Sequence, residues 1–149
     1  MTNGFKIIGI SVRTTNKDNQ ALADIGNLWS RFFAEGIPDK IPNKQSGDIY
    51  SIYTDYKSDY TEDYTTLLGM PVTTLDEIPE GLTGREFQPE QFRKFVAKGA
   101  MPAAVANTWM DIWQRDKELN RKYTYDFEVY SATSQQGDNA EVEIFIATK

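Results

Sequence analysis

The 149-residue sequence contains no cysteine and no histidine. Disulfides, thiolate metal sites and cysteine nucleophiles all require cysteine, and imidazole ligands and Ser-His-Asp triads require histidine. Any acid–base chemistry would therefore depend on Asp, Glu, Tyr or Lys. The acidic residues also lack the spacing of a calcium loop. We expect neither a metal nor another cofactor.

Clusters of basic residues and long apolar segments are absent too. The 16 Lys and Arg are scattered among 22 Asp and Glu, which gives a net charge of −6. Nucleic-acid binding needs clustered positive charge, so this composition argues against it and suits a cationic partner. No segment approaches the ~20 apolar residues that cross a bilayer, and residues 1–15 do not resemble a signal peptide. We expect a cytoplasmic protein that does not bind membranes.

Aromatic residues, in contrast, are abundant, with eight Tyr, eight Phe and three Trp. Such rings bury large apolar areas, and they can also line a ligand pocket. Hydrophobic residues make up 40% of the chain, which is enough for the core of one domain. Composition alone does not decide between a core and a pocket as the role of the rings.

Apolar spacing predicts the order β-α-β-β twice, once in each half of the chain. The predicted elements of the first half are strands Phe5–Arg13, Asp48–Tyr56 and Asp63–Val72 and helix Gln20–Glu35, with a loop at Ile37–Gly47. A linker at Thr73–Gly84 contains Pro and two Gly. Those of the second half are strands Gln91–Gly99, Tyr123–Ala132 and Ala140–Thr148, a helix opened by Pro102 with a charged end at Arg115–Arg121, and a turn at Gln135–Asn139.

Two short matches indicate an internal repeat. Asn27-x-Trp29 recurs as Asn107-x-Trp109, and Asp48–Ser51 recurs as Glu128–Ser131, both 80 residues further along. We predict one α+β domain over residues 1–149, with repeat 1 at about 5–72, a linker at 73–84 and repeat 2 at about 85–149. Two such units would form an antiparallel sheet with two main helices, pseudo-two-fold symmetry and a central cleft, and seams of this kind favour ligand sites.

Glu128 is the first candidate site residue, because it lies within an aromatic strand segment. Strand alternation places it on one face with Asp126 and Tyr130. A buried carboxylate needs a partner, and one candidate is a ligand cation. At about 4 Å and an effective dielectric of ~20 that attraction is roughly 4 kcal/mol before desolvation. The alternatives are that Glu128 faces solvent or pairs with a Lys or Arg.

Four aromatic residues at matching repeat positions are further candidates. Trp29 and Trp109 lie in the apolar stripes of the two helices, where they either pack in the core or also wall the cleft. Tyr50 and Tyr130 either point a hydroxyl into the cleft or pack across strands.

A run of tyrosines with interleaved acids extends from the end of the second predicted strand to the start of the third. The run consists of Tyr53, Tyr56, Tyr60 and Tyr64 with Asp55, Asp59, Glu62 and Asp63. It is either a rim that attracts cations or one face of a hairpin with a solvated acidic turn.

Several motifs, in order, resemble GyrI-like effector-binding domains, which also occur in AraC-type regulators. The motifs are Leu68-Gly69 at a strand end, Ile-Pro-Glu-Gly-Leu at 78–82, Phe95-x-x-x-Gly99, Asn107-x-Trp109 and Phe127-Glu128-Val129-Tyr130. The resemblance implies a duplicated βαββ fold whose central cleft binds drug-like, often cationic and aromatic molecules. It also implies that Glu128 points into that cleft and that Trp109 and Tyr130 border it.

The resemblance implies a role in small-molecule binding, either as a sensor or as a sequestering protein. The first predicted strand begins at Phe5, which leaves no room for a preceding helix-turn-helix, so we expect a stand-alone domain that does not itself read DNA. We expect a binding protein rather than an enzyme.

Two alternatives to a binding protein stay open. In a hydrolase of reactive electrophilic natural products, Glu128 would be the catalytic residue that polarises water and Tyr130 a hydrogen-bond donor. In a protein-partner binder, such as a gyrase-protecting protein, the acidic run would contact a macromolecule.

Overall fold

A computed structural model describes residues 4–59, 61–100, 103–131 and 139–149. Within these ranges the chain forms seven strands and four α-helices. The elements are β1 (Phe5–Thr14), α1 (Gln20–Ala34), α2 (Ile37–Lys40), β2 (Ile49–Thr54), β3 (Tyr64–Val72), β4 (Thr83–Phe87), β5 (Phe92–Lys98), α3 (Ala103–Gln114), α4 (Asp116–Leu119), β6 (Arg121–Tyr130) and β7 (Glu141–Thr148).

All seven strands belong to one antiparallel sheet in the order β4-β1-β3-β2-β6-β7-β5. The strands β1, β3 and β2 of the first half mirror β5, β7 and β6 of the second half. The two halves meet where β2 pairs with β6, and Ser51 lies opposite Glu128 in that register. This arrangement confirms the predicted α+β class and its antiparallel sheet.

Three local features differ from the prediction. Ile37–Lys40, predicted as loop, forms the one-turn helix α2, in which Pro38 lies in the first turn, where its missing N–H costs nothing. The end of the predicted linker begins β4, which pairs with β1. The charged segment after α3 forms the separate helix α4 and then β6, which begins at Arg121.

Some predictions lie outside the described residues. These are the helix opening at Pro102, most of the turn at Gln135–Asn139, the end of the strand at Ala132, and Tyr60 of the tyrosine run.

The two faces of the sheet bury different clusters. On one face α1 packs Leu28 and Phe32 against β1 and β3, and α3 packs Ile112 against β7. On the other face an aromatic cluster surrounds Phe127, which stacks on Phe145 at a centroid distance of 4.8 Å. The helices α1 and α3 lie mainly over the outer strands of their own halves. A space therefore remains between them over the central strands β2 and β6.

Candidate functional site

A cleft of about 570 Å³ occupies the space between α1 and α3. This volume lies within the usual range for sites that bind small molecules. The cleft is lined by Asn16, Asn19, Ala21, Leu22, Ile25, Gly26, Trp29, Tyr53, Tyr56, Tyr64, Val105, Ala106, Trp109, Met110, Trp113, Arg121, Glu128 and Tyr130. Most of this lining is apolar or aromatic, so it suits a ligand that is itself largely apolar.

Glu128 lies in the cleft wall with only 1% of its surface exposed. Its Oε2 accepts hydrogen bonds from Trp109 Nε1 at 2.5 Å and from Tyr53 Oη at 3.0 Å. Its Oε1 accepts one from Tyr130 Oη at 2.6 Å. This burial rules out the solvent-facing alternative. Within the described ranges, no Lys or Arg forms an ion pair with Glu128, so the Lys or Arg alternative is ruled out there as well.

Burial raises the pKa of Glu128 above the ordinary value of 4.5, although the hydrogen bonds from Tyr130, Trp109 and Tyr53 act in the opposite direction. Desolvation disfavours the charged form, and the three donors only partly replace the lost water. Burial and the nearby carboxylate also raise the pKa of Tyr53 and Tyr130 well above 10.0. Both tyrosines therefore remain protonated donors at neutral pH. The site holds an acidic group with which no Lys or Arg of the described residues forms an ion pair.

Aromatic rings form the walls around this carboxylate. Trp29 of α1 meets Tyr130 edge to face at 4.8 Å, and Tyr53 meets Trp109 in the same way at 5.4 Å. Trp109 belongs to the core cluster under α3 and also lines the cleft. Trp29 likewise packs against the core under α1 and lines the cleft. For both tryptophans, core packing and a place in the cleft wall are therefore combined.

Apolar side chains also surround the cleft at its exposed side. Leu22 of α1 is 74% exposed and Met110 of α3 is 52% exposed, yet both line the cavity. Exposed apolar side chains mark an interaction site when they are continuous with a larger apolar surface, and here both border the apolar lining of the cleft. These residues lie where the apolar part of a ligand would extend towards solvent.

A second polar group lies beside Glu128 on the same face of β6. Arg121 donates to Asp126 at 2.7 Å and to Asp116 at 3.3 Å. Asp126 also accepts from Tyr56 Oη at 2.5 Å and from the backbone N–H of Ala147 at 2.9 Å. Asp126 is fully buried, and desolvation raises its pKa against the opposing effect of Arg121. In contrast to Glu128, this carboxylate has its own cation.

The structure brings together four of the five residues that the sequence singled out as ligand-binding. Glu128, Trp109, Tyr130 and Trp29 all line the cleft. Tyr50 lies on the opposite face of the sheet, where it stacks on Phe127 at 5.4 Å and 10°. Of the two alternatives for Tyr50, packing across strands is therefore the correct one, and its assignment as a ligand-binding residue is wrong.

The error has a simple geometric cause. The match between Tyr50 and Tyr130, 80 residues apart, assumed that the two residues occupy equivalent positions in β2 and β6 and face the same side of the sheet. Tyr50 lies opposite Val129, and a shift of one residue moves a side chain to the other face.

Three tyrosines of the run that was predicted as either a rim or a hairpin face, Tyr53, Tyr56 and Tyr64, also line the cleft. The signal was the tyrosine run itself, but its acidic neighbours favoured a hairpin surface. Those neighbours do lie in an exposed turn, where Asp55 pairs with Arg85 at 2.8 Å and Glu62 with Lys17 at 3.4 Å.

Removing the two tyrosine hydroxyls that bind Glu128 tests this network. We expect Tyr53→Phe combined with Tyr130→Phe to raise the pKa of Glu128 further, because two hydrogen bonds that stabilise the charged form are lost. A hydrogen bond to a charged group contributes about 1.5–3 kcal/mol, and 1.36 kcal/mol corresponds to one pKa unit. The measurement is the carboxyl ¹³C shift of Glu128 against pH, assigned with Glu128→Gln. An unchanged titration midpoint would show that these hydroxyls do not stabilise the carboxylate.

Fold and cleft together define a GyrI-like effector-binding domain, in which a doubled β-α-β-β arrangement encloses a cavity over its central strands. The family model of Cass2, the integron-associated effector binding protein, matches residues 1–148. The chain therefore belongs to this family, and it is a small-molecule-binding protein. No helix in the described part of the chain is long and apolar enough to span a membrane.

Individual relatives cover nearly the whole chain. The crystal structure of the integron cassette protein VCH_CASS2 from Vibrio cholerae has 32% identity and a TM-score of 0.77, covering 99% of this chain and 92% of that one. The structure of SAV2435 bound to tetraphenylphosphonium has 20% identity and a TM-score of 0.81, with coverage of 99% and 90%. YobU of Bacillus subtilis (strain 168), whose name describes a candidate transcriptional regulator, is 24% identical over 147 residues, covering 97% of this chain and 92% of its own.

Proposed function

We propose that the cleft binds amphipathic aromatic cations and that the chain acts as a sensor or a sequestering protein for them. Glu128 supplies the charge, and Trp29, Trp109 and Tyr130 supply the ring contacts. The observation that carries this proposal is the buried carboxylate of Glu128, which lies in an aromatic cleft and has no protein cation beside it in the described residues.

The energetic argument starts from the desolvated state of Glu128. The cost of removing this carboxylate from water is already included in the fold, as its raised pKa shows. A ligand cation at about 4 Å would gain roughly 4 kcal/mol at an effective dielectric of ~20, before its own desolvation is subtracted. Contacts between the cation and the faces of Trp and Tyr rings add about 0.5–2 kcal/mol each. The cleft therefore favours ligands that combine positive charge with flat apolar surface.

The comparison with SAV2435 supports this ligand class. Tetraphenylphosphonium, to which that protein is bound, is a permanent cation surrounded by four phenyl rings. A ligand of this kind matches both the acidic and the aromatic part of the cleft described above.

The test compares tetraphenylphosphonium with neutral triphenylphosphine oxide, in thermal-shift and calorimetric titrations. A ligand at 100 times its Kd stabilises the native state by about 2.7 kcal/mol, which raises Tm visibly. We expect Glu128→Gln to weaken binding of the cation at least about tenfold, a loss of about 1.4 kcal/mol, and to leave the neutral compound unaffected.

Glu35→Gln is the matched control. It changes the net charge equally, but Glu35 lies after α1 and pairs with Arg31 at 3.1 Å. This variant should bind the cation as the unchanged protein does. Equal losses for cation and neutral compound in Glu128→Gln, or no loss for either, would show that Glu128 does not supply charge recognition.

Binding is better supported than the two alternatives. Both oxygens of Glu128 already accept hydrogen bonds from protein donors, which leaves the carboxylate poorly arranged to take a proton from water. In the acidic turn, Asp55 and Glu62 pair with Arg85 and Lys17, so their charges are already partly neutralised by the protein.

A further inference from the structure

Arg121 occupies an unusual position at the start of β6. The pairing between β6 and β7 shifts its register between Arg121 and Asp126, which marks a bulge. Within it Tyr123 has a φ of 61°, which is a rare conformation for a bulky residue. Strain of this kind persists where the surrounding structure holds it. Bulges beside binding sites commonly redirect a side chain. Here the side chain that lies beside the bulge and lines the cleft is Arg121.

The guanidinium of Arg121 has the surroundings of a bound cation. It contacts the carboxylates of Asp126 and Asp116 at 2.7 and 3.3 Å. Its Cζ lies 4.4 Å from the centroid of the Tyr123 ring and 5.8 Å from that of Trp109. Carboxylates combined with aromatic faces are the groups that recognise organic cations. Only 1% of the side chain is exposed.

Trp109 connects this position with Glu128. Its ring lies under the guanidinium of Arg121, while its Nε1 donates to the carboxylate of Glu128. Within the described residues, Arg121 Nε is one of two buried side-chain polar atoms that have no hydrogen-bond partner. The guanidinium is therefore held by two carboxylates and two aromatic rings, and its Nε makes no hydrogen bond to the described residues. This is expected for a cation in a site built from acidic and aromatic side chains.

We propose that Arg121 occupies a second cation subsite of the cleft and so restricts the ligand to one positive charge. This inference rests on the proposed function of the cleft and names the class of cation that it accepts. Glu128 and Asp126 place two buried carboxylates on one face of β6, and Arg121 offsets the second of them. A ligand with two positive charges would bring its second charge towards the guanidinium. Without the Arg121 side chain, the carboxylate of Asp126 would lose this cation, and the space that the side chain fills would become open to a ligand.

The experiment compares an aryl monoamidine with the matching aryl bisamidine by calorimetric titration, because an amidinium has the planar shape of the guanidinium that it would replace. The unchanged protein should not bind the bisamidine more tightly than the monoamidine. In Arg121→Met, the ratio of affinities should change at least tenfold in favour of the bisamidine. An unchanged ratio in a folded Arg121→Met protein would overturn the inference.

Two further variants keep the inference testable. Arg121→Met combined with Asp126→Asn should lose most of the gain for the bisamidine, because the vacated subsite no longer carries the closer and fully buried of its two carboxylates. Asp126→Asn alone removes the closer of the two carboxylates that pair with Arg121, so the positive charge lining the cleft is less compensated and monoamidine binding should weaken at least tenfold. If Arg121→Met does not fold, this last variant decides the matter, and unchanged monoamidine affinity in it would contradict the inference.

Glu128→Gln, measured in the same series, separates the inference from the proposed function. If it leaves monoamidine binding unchanged, the proposed charge role of the cleft is wrong. If it weakens monoamidine binding while Arg121→Met leaves the affinity ratio unchanged, only the second subsite is wrong.

Discussion

Gly9→Ala is expected to destabilise the protein by about 4 kcal/mol or more, which lies at the extreme of single substitutions. Gly9 of β1 lies directly opposite Gly69 of β3. A Cβ atom on Gly9 would lie 2.0 Å from the carbonyl oxygen of Leu68 and 2.5 Å from the Cα of Gly69. Because both obstacles are backbone atoms, no rotamer change relieves the clash. The two strands would have to separate where Ile8 and Leu68 enter the core under α1.

The measurement is the free energy of unfolding from denaturant titration, with Gly26→Ala as the control. Gly26 lies within α1, and a Cβ there would meet nothing within 4 Å. Because glycine is unfavourable inside a helix, this control should be stabilised by about 0.5–1 kcal/mol. A Gly9→Ala protein within about 1 kcal/mol of the unchanged protein would contradict the close approach of β1 and β3, because single substitutions away from such features stay near that size.

The sequence predicts the main strands and helices well because their apolar spacing is strong. Helix α1, with Leu28 and Phe32 on its buried stripe, ends one residue before the predicted Glu35. Strand β4 was missed because Thr-Gly-Arg-Glu-Phe is short, and of its five residues only Phe87 is buried. What determines β4 is a distant partner, since the outer edge of β1 needs backbone hydrogen bonds. Local pattern contains no information about such an edge.

The sheet face of a site residue could be predicted where alternation along a single strand determines it. It could not be predicted where it depends on the register between two strands. Glu128 and Tyr130 share a face of β6 by simple alternation, and both line the cleft. The face of Tyr50 depends on the register between β2 and β6, which the repeat pattern gave with the wrong phase. Arg121 appeared in sequence only as the end of a charged helix, because a bulge after it has no local signature. The charge balance of the cleft follows from that bulge and was therefore not foreseeable.

The affinity for a permanent aromatic cation should fall as pH is lowered from neutrality towards 4.5, by tenfold for each unit below the pKa of Glu128. In the free protein, burial raises that pKa above the ordinary value of 4.5, so the carboxylate takes up its proton at a higher pH than a solvent-exposed glutamate does. A bound cation favours the carboxylate and lowers the pKa of the complex. Binding therefore releases the proton, and the affinity reaches its maximum above the pKa of Glu128 in the free protein. The loss ends only at the lower pKa of the complex.

Calorimetric titration with tetraphenylphosphonium isolates the protein's own titration, because this ligand carries a fixed charge. Glu128→Gln should bind the cation weakly and with almost no pH dependence in the same window. It also retains Asp126, whose pKa burial raises as well, so the difference between the two proteins belongs to Glu128.

Stability of the free protein should show the opposite trend. A raised folded-state pKa contributes stability that is present in acid and lost as pH rises through that pKa. Above its pKa the ionised Glu128 therefore weakens the fold, and a bound cation restores the lost stability. Glu128→Gln should remove both effects together. If the affinity of Glu128→Gln for the cation changes with pH as steeply as that of the unchanged protein, another group causes the pH dependence.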